Sequence, residues 1–366
     1  MAEHWCGSDH YRDVHKRIVL KNDTYFDMRN LASLTDNSGG CPVSDCTDSL
    51  GKVDSQWGLM PYCSKHRIRI HAGSRTFVYY NGPDATSKRN AALRNILFER
   101  DYFNAHILGN ATKAETHRIC HETSEDALTW NVFSRLARDR QLQSVLSTLT
   151  GTSIKFEPEL YLWGLKIRLN DPTPPTLFPP LLRARQIFEK GIVKFLTEPD
   201  IMLYAPGQVL VLVEAKFTSG NTVATASAFE GLTGEKPKSR NGIIERYNPT
   251  LLPPSAMLAP PSSGSFYSQL YRNLVFTIHM ANELGVNWGL VNLVSEKQFQ
   301  QRQAKAEYQD PTQFIRALLP EKSRNQFLFY SWERLYANSV AKSIGMAELA
   351  EYMRNKSANC VKAFSL

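Results

Sequence analysis

The chain has no hydrophobic run long enough to cross a membrane. A spanning helix needs about 20 consecutive apolar residues, and no stretch of the 366 residues approaches that length. The first ten residues, MAEHWCGSDH, also lack the charged start and apolar core of a signal peptide. We therefore expect a cytoplasmic protein.

Cysteine and acidic residues are both in short supply. Six cysteines in 366 residues are too few for a disulfide framework, and three of them lie close together, which is more typical of metal ligands. Lys and Arg outnumber Asp and Glu by 43 to 35, so the formal net charge is +8. This balance suits a phosphate-rich partner such as nucleic acid without requiring one.

Two apolar runs enclose a Pro206-Gly207 turn near the middle of the chain. Residues 201–204 and 209–213 are rich in β-forming side chains, so the stretch predicts an antiparallel hairpin. Charged residues occur only at its open end.

A three-residue hairpin loop would bring Asp200 opposite Glu214, because facing positions would then sum to 414. Lys216 follows Glu214 by two residues and so shares its face of the strand. An even-numbered loop would turn Asp200 to the other face, so the prediction requires an odd loop or a bulge.

Two carboxylates beside a lysine, at the end of a strand built for a core, repel each other and require a counter-ion. Mg²⁺ supplies one, with Asp200 and Glu214 as ligands. Lys216 would then deprotonate or orient the attacking water, or neutralise charge on a phosphate. The alternative is a solvated hairpin end with an ordinary ion pair.

The order Pro199-Asp200, thirteen residues, then Glu214-Ala215-Lys216 resembles the signature of the PD-(D/E)xK nuclease superfamily. The resemblance covers residues 120–295. It implies a restriction-endonuclease-like α/β (α+β) fold, with a mixed β-sheet flanked by helices.

In function, the resemblance implies a Mg²⁺-dependent endonuclease that cuts DNA, in restriction or anti-phage defence. A homodimer or an association with other defence-system proteins would fit such a role. The alternative function is a nucleic-acid-binding protein whose nuclease-like core is inert.

A helix is predicted to begin near Thr123, because Thr123 and Asp126 resemble a capping box. Its buried stripe consists of three residues at helical spacing: Leu128, Val132 and Leu136. Glu125 extends that stripe, where a carboxylate is costly without a partner. In the superfamily that the chain resembles, a glutamate from a preceding helix completes the acidic site and can hold metal. Glu125 is the matching position, and Glu122 is the second choice.

A second helix is predicted over residues 266–284, ending at Gly285. RecB-like members of the superfamily carry a site glutamine on such a helix, and the match here is Gln269. The alternative is a surface amide. An apolar strand is predicted to follow, over residues 288–294.

Cys41, Cys46, Cys63 and His66 form two close pairs separated by sixteen residues, which predicts a tetrahedral structural Zn²⁺ site. His71 is a possible substitute for His66, and an unrelated histidine near buried thiols is the alternative. A zinc-dependent hydrolase is a third functional hypothesis, which would need an open coordination position. Basic residues near the second pair indicate either nucleic-acid contact or a simple brace: Lys52, Lys65, Arg67, Arg69 and His71.

The chain divides into three predicted regions. Residues 1–118 hold the zinc-finger-like module at about 39–71, and residues 119–295 hold the nuclease core with an insertion loop at 218–265. Residues 296–366 form a C-terminal region that reads as helical.

Overall fold

The computed structural model describes residues 40–41, 43, 46–55, 58–71, 76–108, 116–171, 173–194, 196–224, 235–260, 264–303, 310–359 and 363–366. The first 39 residues of the predicted N-terminal region lie outside these ranges. Within them, every helix is too short or too polar to pass through a membrane.

A small antiparallel sheet of four strands comes first in the described chain, in the spatial order β1-β2-β3-β4. Its strands are β1 Gly51–Ser55, β2 Gly58–Cys63, β3 Ile68–Ile70 and β4 Phe77–Tyr79. In β3 the side chains alternate between buried and half-buried, as expected for a strand with one face on a core.

Helices follow the small sheet up to residue 150. They are α1 Ala85–Leu93, α2 Arg100–Tyr102, a π-helical turn Phe103–Ile107, α3 Thr116–Ile119, α4 Glu125–Arg138 and α5 Leu142–Thr150. The N-cap of α4 is Ser124, whose side chain accepts a hydrogen bond from the backbone N–H of Ala127. The predicted cap at Thr123 was therefore wrong by one residue. The predicted apolar stripe of α4 is confirmed, since all three of its residues are fully buried: Leu128, Val132 and Leu136.

The central part of the chain contributes the main sheet and its covering helices. Its elements are β5 Glu159–Leu162, β6 Leu165–Lys166, α6 Pro179–Phe188, β7 Ile201–Ala205, β8 Val209–Ala215, β9 Val223–Ala224, α7 Arg240–Arg246, a 3₁₀ turn Pro249–Leu251, β10 Phe266–Tyr267, α8 Ser268–Leu284 and β11 Asn287–Val294. The predicted insertion loop thus contains a helix and one strand of a two-stranded ribbon, β9 with β10. Helix α8 ends as predicted at Gly285, which has a positive φ of 65°.

The C-terminal part of the chain is mainly helical. It contains α9 Glu296–Gln303, α10 Pro311–Ala317, a 3₁₀ turn Glu321–Gln326, β12 Phe327–Ser331, α11 Trp332–Leu335, a π-helical turn Tyr336–Val340, a 3₁₀ turn Ile344–Met346 and α12 Ala347–Asn359. The all-helical reading of this region missed β12, a short apolar strand that joins the main sheet.

The main sheet has six strands in the order β12-β11-β8-β7-β5-β6. The pairs β12/β11 and β11/β8 are parallel, and the pairs β8/β7, β7/β5 and β5/β6 are antiparallel. The fold is therefore a mixed α+β fold. Strand β8 lies inside the sheet and is buried along its whole length, which explains its continuous apolar sequence.

Alternate residues of β8 belong to two different hydrophobic clusters. Leu210 and Leu212 share a cluster with Leu274 of α8, whereas Val211 and Val213 share the other with Leu128 of α4. The sheet is thus covered by α8 on one face and α4 on the other. The α4 cluster also includes side chains from the small N-terminal sheet and from the C-terminal region, so all three predicted regions contribute to one core: Cys63, Ile68, Trp332 and Phe364.

Candidate active site and zinc cluster

The β7–β8 hairpin has the loop length that its sequence predicts. Pro206, Gly207 and Gln208 lie between the strands, and Gly207 has a φ of 69°, where a side chain would be strained. Ile201 pairs with Val213, so facing positions sum to 414 as expected. The odd loop therefore sets the register that places Asp200 opposite Glu214.

Asp200 and Glu214 meet where the hairpin opens. Oδ2 of Asp200 accepts a hydrogen bond of 2.8 Å from the backbone N–H of Ala215, which continues the contact between the strands. Glu214 is only 3% exposed, whereas Asp200 is partly exposed. The two carboxylates thus stand at the boundary between the core and the surface.

Lys216 joins them from the end of β8. Its Nζ lies 2.5 Å from Oε1 of Glu214 and 3.5 Å from Oε1 of Glu125. Its backbone is also held, because its N–H donates to the Leu293 carbonyl over 2.8 Å and its carbonyl accepts from Nε1 of Trp332 over 2.9 Å. The ammonium therefore has a fixed place between two carboxylates.

Glu125 reaches the same place from α4, on the other face of the sheet. Its Oε2 accepts hydrogen bonds of 2.9 Å from the backbone N–H of Phe217 and from Oγ of Ser219. Glu125 is the first residue of α4, where the helix dipole favours a negative charge. Glu122, the second choice, instead accepts from the backbone N–H of Phe77 over 3.1 Å and is fully buried against strand β4.

The helix α8 contributes a side chain that the sequence did not reveal. Nδ2 of Asn273 donates a 2.7 Å hydrogen bond to Oε2 of Glu214. Gln269, the glutamine suggested by the resemblance, lies one turn earlier and accepts a 3.2 Å hydrogen bond from Oγ1 of Thr222. Among the described residues, no hydrogen bond joins Gln269 to the group of Glu125, Asp200, Glu214 and Lys216. The only available signal for Asn273 was its place one turn after Gln269 on the same face.

The acid cluster, defined as Glu125, Asp200, Glu214 and Lys216, is short of positive charge. With all three carboxylates ionised, the cluster and its one ammonium would sum to −2. Burial, together with the nearby charges of Glu214 and Glu125, raises the pKa of Asp200 well above its ordinary value, against the opposing effect of Lys216. Burial likewise raises the pKa of Glu125, although Lys216 opposes this. The cluster therefore favours any added cation.

Lys216 is a cation in this setting. Burial lowers the pKa of its ammonium, but the carboxylates of Glu214, Glu125 and Asp200 have the opposite effect and together raise that pKa above its ordinary value. The surrounding carboxylates therefore favour its charged form. The position of this ammonium between two carboxylates suits the neutralisation of negative charge.

Cys41, Cys46, Cys63 and His66 come together beside the small N-terminal sheet, with their ligand atoms all within 4.8 Å of one another. Sγ of Cys46 and Cys63 are 3.8 Å apart, and Nδ1 of His66 is 3.4 Å from Sγ of both Cys41 and Cys63. Zinc–sulfur bonds of about 2.3 Å in a tetrahedron place two sulfurs about 3.8 Å apart. The predicted cluster is confirmed as a site that can bind zinc.

The fourth ligand is His66 rather than His71, which stacks on His121 with ring centroids 5.7 Å apart. Burial lowers the pKa of His66, with a contribution from Lys65, so its ring is neutral and able to bind a metal. Four protein ligands close the coordination shell, which favours a structural zinc over a hydrolytic one.

Two arginines brace this module. Arg94 of α1 donates to the carbonyls of His66 and Arg67 over 2.6 and 2.9 Å, and the guanidinium of Arg69 stacks over Tyr80 at 3.4 Å from the ring centroid. Lys52, Lys65 and Arg67 are exposed. Of the predicted basic residues, Arg69 thus has a structural contact, whereas these three are open to solvent.

Comparison with known proteins found no match: no family model, curated protein or solved structure matches the chain. The structure itself establishes a mixed α+β fold, a Cys₃His cluster that can bind zinc, and the convergence of the acid cluster.

The hydrogen bonds of the acid cluster leave oxygens that can coordinate a metal. Asp200 uses Oδ2, Glu214 uses Oε2 and Glu125 uses Oε2 to accept from neutral donors. The other oxygen of each carboxylate faces Lys216 or is left for another ligand. Carboxylates in which one oxygen is held by a hydrogen bond, so that the other can bind a ligand, are a common setting for a hard divalent cation.

Proposed function

We propose that the chain is a metal-dependent nuclease that hydrolyses the phosphodiester bonds of DNA. The observation that supports this most strongly is the convergence of Asp200, Glu214 and Lys216 at the open end of one hairpin, with Glu125 added from a separate helix. This arrangement is what the PD-(D/E)xK resemblance requires, and Glu125 comes to it from a distant part of the sequence. The restriction-endonuclease-like fold is part of the same proposal.

Each residue of the acid cluster has a distinct role in this proposal. Asp200 and Glu214 would hold Mg²⁺ through Oδ1 of Asp200 and Oε1 of Glu214, which accept no hydrogen bond from a neutral donor of the described residues. The excess of carboxylates over ammonium groups in the cluster also suits a small, hard dication. Such an ion, when bound, polarises the phosphate and lowers the pKa of a coordinated water. Lys216 stabilises the negative charge that grows on the phosphate as the bond to water forms. Glu125 orients Lys216 and offers its Oε1 to a second ion or to water.

The charge of the chain and the zinc module bear on the substrate. The formal charge of +8 and the exposed basic residues of the zinc module favour a polyanionic substrate. A zinc ion in the Cys₃His cluster would hold this module rigid. An endonuclease role in restriction or anti-phage defence, with a homodimer or other defence proteins as partners, rests on the resemblance alone.

The direct test is cleavage of supercoiled plasmid by the wild-type chain with Mg²⁺ and with EDTA. Glu214→Gln and Lys216→Met each remove one charge from the acid cluster and should reduce the rate by about 10²–10³-fold. Glu159→Gln and Lys166→Met are matched controls, because these residues form an ion pair on β5 and β6 of the same sheet. The controls should cut like the wild type.

One observation favours a different function, a nucleic-acid-binding protein with an inert core. The ammonium of Lys216 already contacts two of the three carboxylates, and so partly compensates them without any metal. That reading predicts plasmid binding with no cutting under every condition. It also predicts that any effect of Glu214→Gln on plasmid binding or on stability is the same with and without Mg²⁺.

A further inference from the structure

A small cavity of about 30 Å³ adjoins the acid cluster on the β11 side. Six residues that matter to its chemistry line it: Ser219, Gly220, Asn221, Asn292, Gln298 and Arg302. Asn292 of β11 stands directly opposite Glu214 of β8 in the sheet register. Leu290 and Leu212, two residues earlier on each strand, both pack in the α8 cluster, so Asn292 and Glu214 share that face.

The cavity and the acid cluster also share a wall. Ser219 lines the cavity, and its Oγ donates to Oε2 of Glu125 over 2.9 Å. A nucleic-acid strand with one phosphate at the acid cluster would therefore place the neighbouring nucleotide near this cavity.

Two asparagines in the cavity leave polar groups without partners. Nδ2 of Asn221 donates to Oδ1 of Asn292 over 3.1 Å, while Nδ2 of Asn292 and Oδ1 of Asn221 find no hydrogen-bond partner among the residues that the structure describes. Turning both amides over exchanges these roles and still leaves one NH₂ group and one oxygen. Asn292 is 1% exposed, and a buried amide without a partner is costly. The unpartnered NH₂ group can therefore donate a hydrogen bond to a ligand that offers an acceptor.

Arg302 of α9 adds a positive charge to the same cavity. Its guanidinium lies against the backbone of Gly220, since a methyl group there would be 1.2 Å from Nη1 of Arg302. Within the described ranges, Arg302 forms no ion pair with a carboxylate. A guanidinium and an amide NH₂ at one site are suited to phosphate oxygens.

We infer that this cavity binds the phosphate of the nucleotide next to the bond that is cut. Arg302 and the free amide NH₂ donate hydrogen bonds to the oxygens of that phosphate. The inference rests on the proposed function, because it takes the acid cluster as the cutting site. It adds a specific substrate contact on one side of that site.

The probe is thymidine 3′,5′-bisphosphate, which has phosphates and a sugar but no diester to cut. Its binding to the full-length protein is measured by calorimetry in EDTA, so that metal ions make no contribution. Arg302→Gln and Gly220→Ala should each raise its Kd about tenfold, the first by removing the charge and the second by displacing the guanidinium. Arg316→Gln is the matched control, because Arg316 is an exposed arginine of α10 that does not line the cavity.

The outcomes separate this inference from the nuclease proposal. An unchanged Kd in Arg302→Gln, or equal losses in Arg302→Gln and Arg316→Gln, overturns the subsite even if plasmid is cut. Inorganic phosphate that binds as tightly as the bisphosphate also overturns it, because the site would then be one for free anions. If the bisphosphate result holds and plasmid is never cut, the nucleotide site stands and the nuclease proposal falls. With cleavage, Arg302→Gln should raise KM about tenfold and leave kcat unchanged.

Discussion

Nδ2 of Asn273 lies 2.7 Å from Oε2 of Glu214, and both residues are buried. This hydrogen bond joins α8 to β8 and fixes one oxygen of the carboxylate. The other oxygen, Oε1, is left facing Lys216. The orientation of the Glu214 carboxylate therefore depends on the neutral side-chain amide of Asn273 on α8.

Asn273→Ala should weaken both stability and metal binding. It leaves Oε2 of Glu214 buried without a donor, which costs about 1–3 kcal/mol in the free energy of unfolding. Loss of an orienting hydrogen bond should also raise the Mg²⁺ concentration for half-maximal cleavage about tenfold. Gln269→Ala, one turn earlier, is the control and should change neither quantity. Equal effects of the two substitutions in urea unfolding and Mg²⁺ titration would refute a special role for Asn273.

Asp200→Asn should stabilise the metal-free protein at alkaline pH. Burial and the charges of Glu214 and Glu125 raise the pKa of Asp200, so the native state holds this proton more tightly than the unfolded state. The unfolding free energy is therefore highest below the ordinary Asp pKa of about 3.9 and falls as pH rises through the raised native value. The asparagine has no proton to lose and keeps an oxygen for the Ala215 N–H.

The measurement is the Tm in EDTA between pH 5 and pH 8. Asp200→Asn should exceed the wild type most at pH 8, with a gap that narrows towards pH 5. Added Mg²⁺ should raise the Tm of the wild type at pH 8 and have little effect on Asp200→Asn. Parallel Tm profiles for the two proteins would show that Asp200 carries no unfavourable charge.

Lys216→Met should make the protein depend on Mg²⁺ for its stability. Without the ammonium, three carboxylates face each other, and loss of one partner from a buried ion pair costs about 3–5 kcal/mol. Urea unfolding in EDTA should show this loss, and Mg²⁺ should restore much of it. Lys166→Met breaks a half-exposed pair with Glu159 and should cost under about 1 kcal/mol in either buffer. A loss in Lys216→Met that Mg²⁺ fails to reverse would argue against a metal at the cluster.

Cys46→Ser should remove zinc from the protein. The wild type is expected to hold one zinc ion per chain after dialysis against a weak chelator, since four ligands converge there. Elemental analysis of Cys46→Ser should show little zinc, with partial unfolding of the small N-terminal sheet. Cys120→Ser alters a buried cysteine outside the cluster and should retain the metal. Full zinc content in Cys46→Ser would contradict the assignment.

The hairpin and the zinc cluster could be predicted because their rules are local. A turn of known length and a side-chain period of two place Asp200 opposite Glu214 with no knowledge of the rest of the chain. The zinc site is local in the same sense, because the spacing in the sequence alone predicts the four ligands: Cys41, Cys46, Cys63 and His66. Helix α4 was found from its apolar stripe, and only its cap was misplaced.

The contacts that complete the acid cluster are not local. Asn273 and Glu214 are 59 residues apart, and Trp332 and Lys216 are 116 apart. Each meets its partner only because helices or strands pack around the main sheet, and neither has a distinctive residue pattern beside it. Strand β12 was missed for a different reason. Its five residues are too few to show the alternation of a strand, and helices lie on both sides of it in the sequence.

The most direct test of the account is an anomalous diffraction experiment on crystals grown with Mn²⁺ in place of Mg²⁺. We predict a manganese peak at about 2.0–2.2 Å from carboxylate oxygens of both Asp200 and Glu214, absent from Asp200→Asn crystals. Crystals with no peak there, in which Lys216 alone compensates Glu214 and Glu125, would contradict a metal-dependent nuclease.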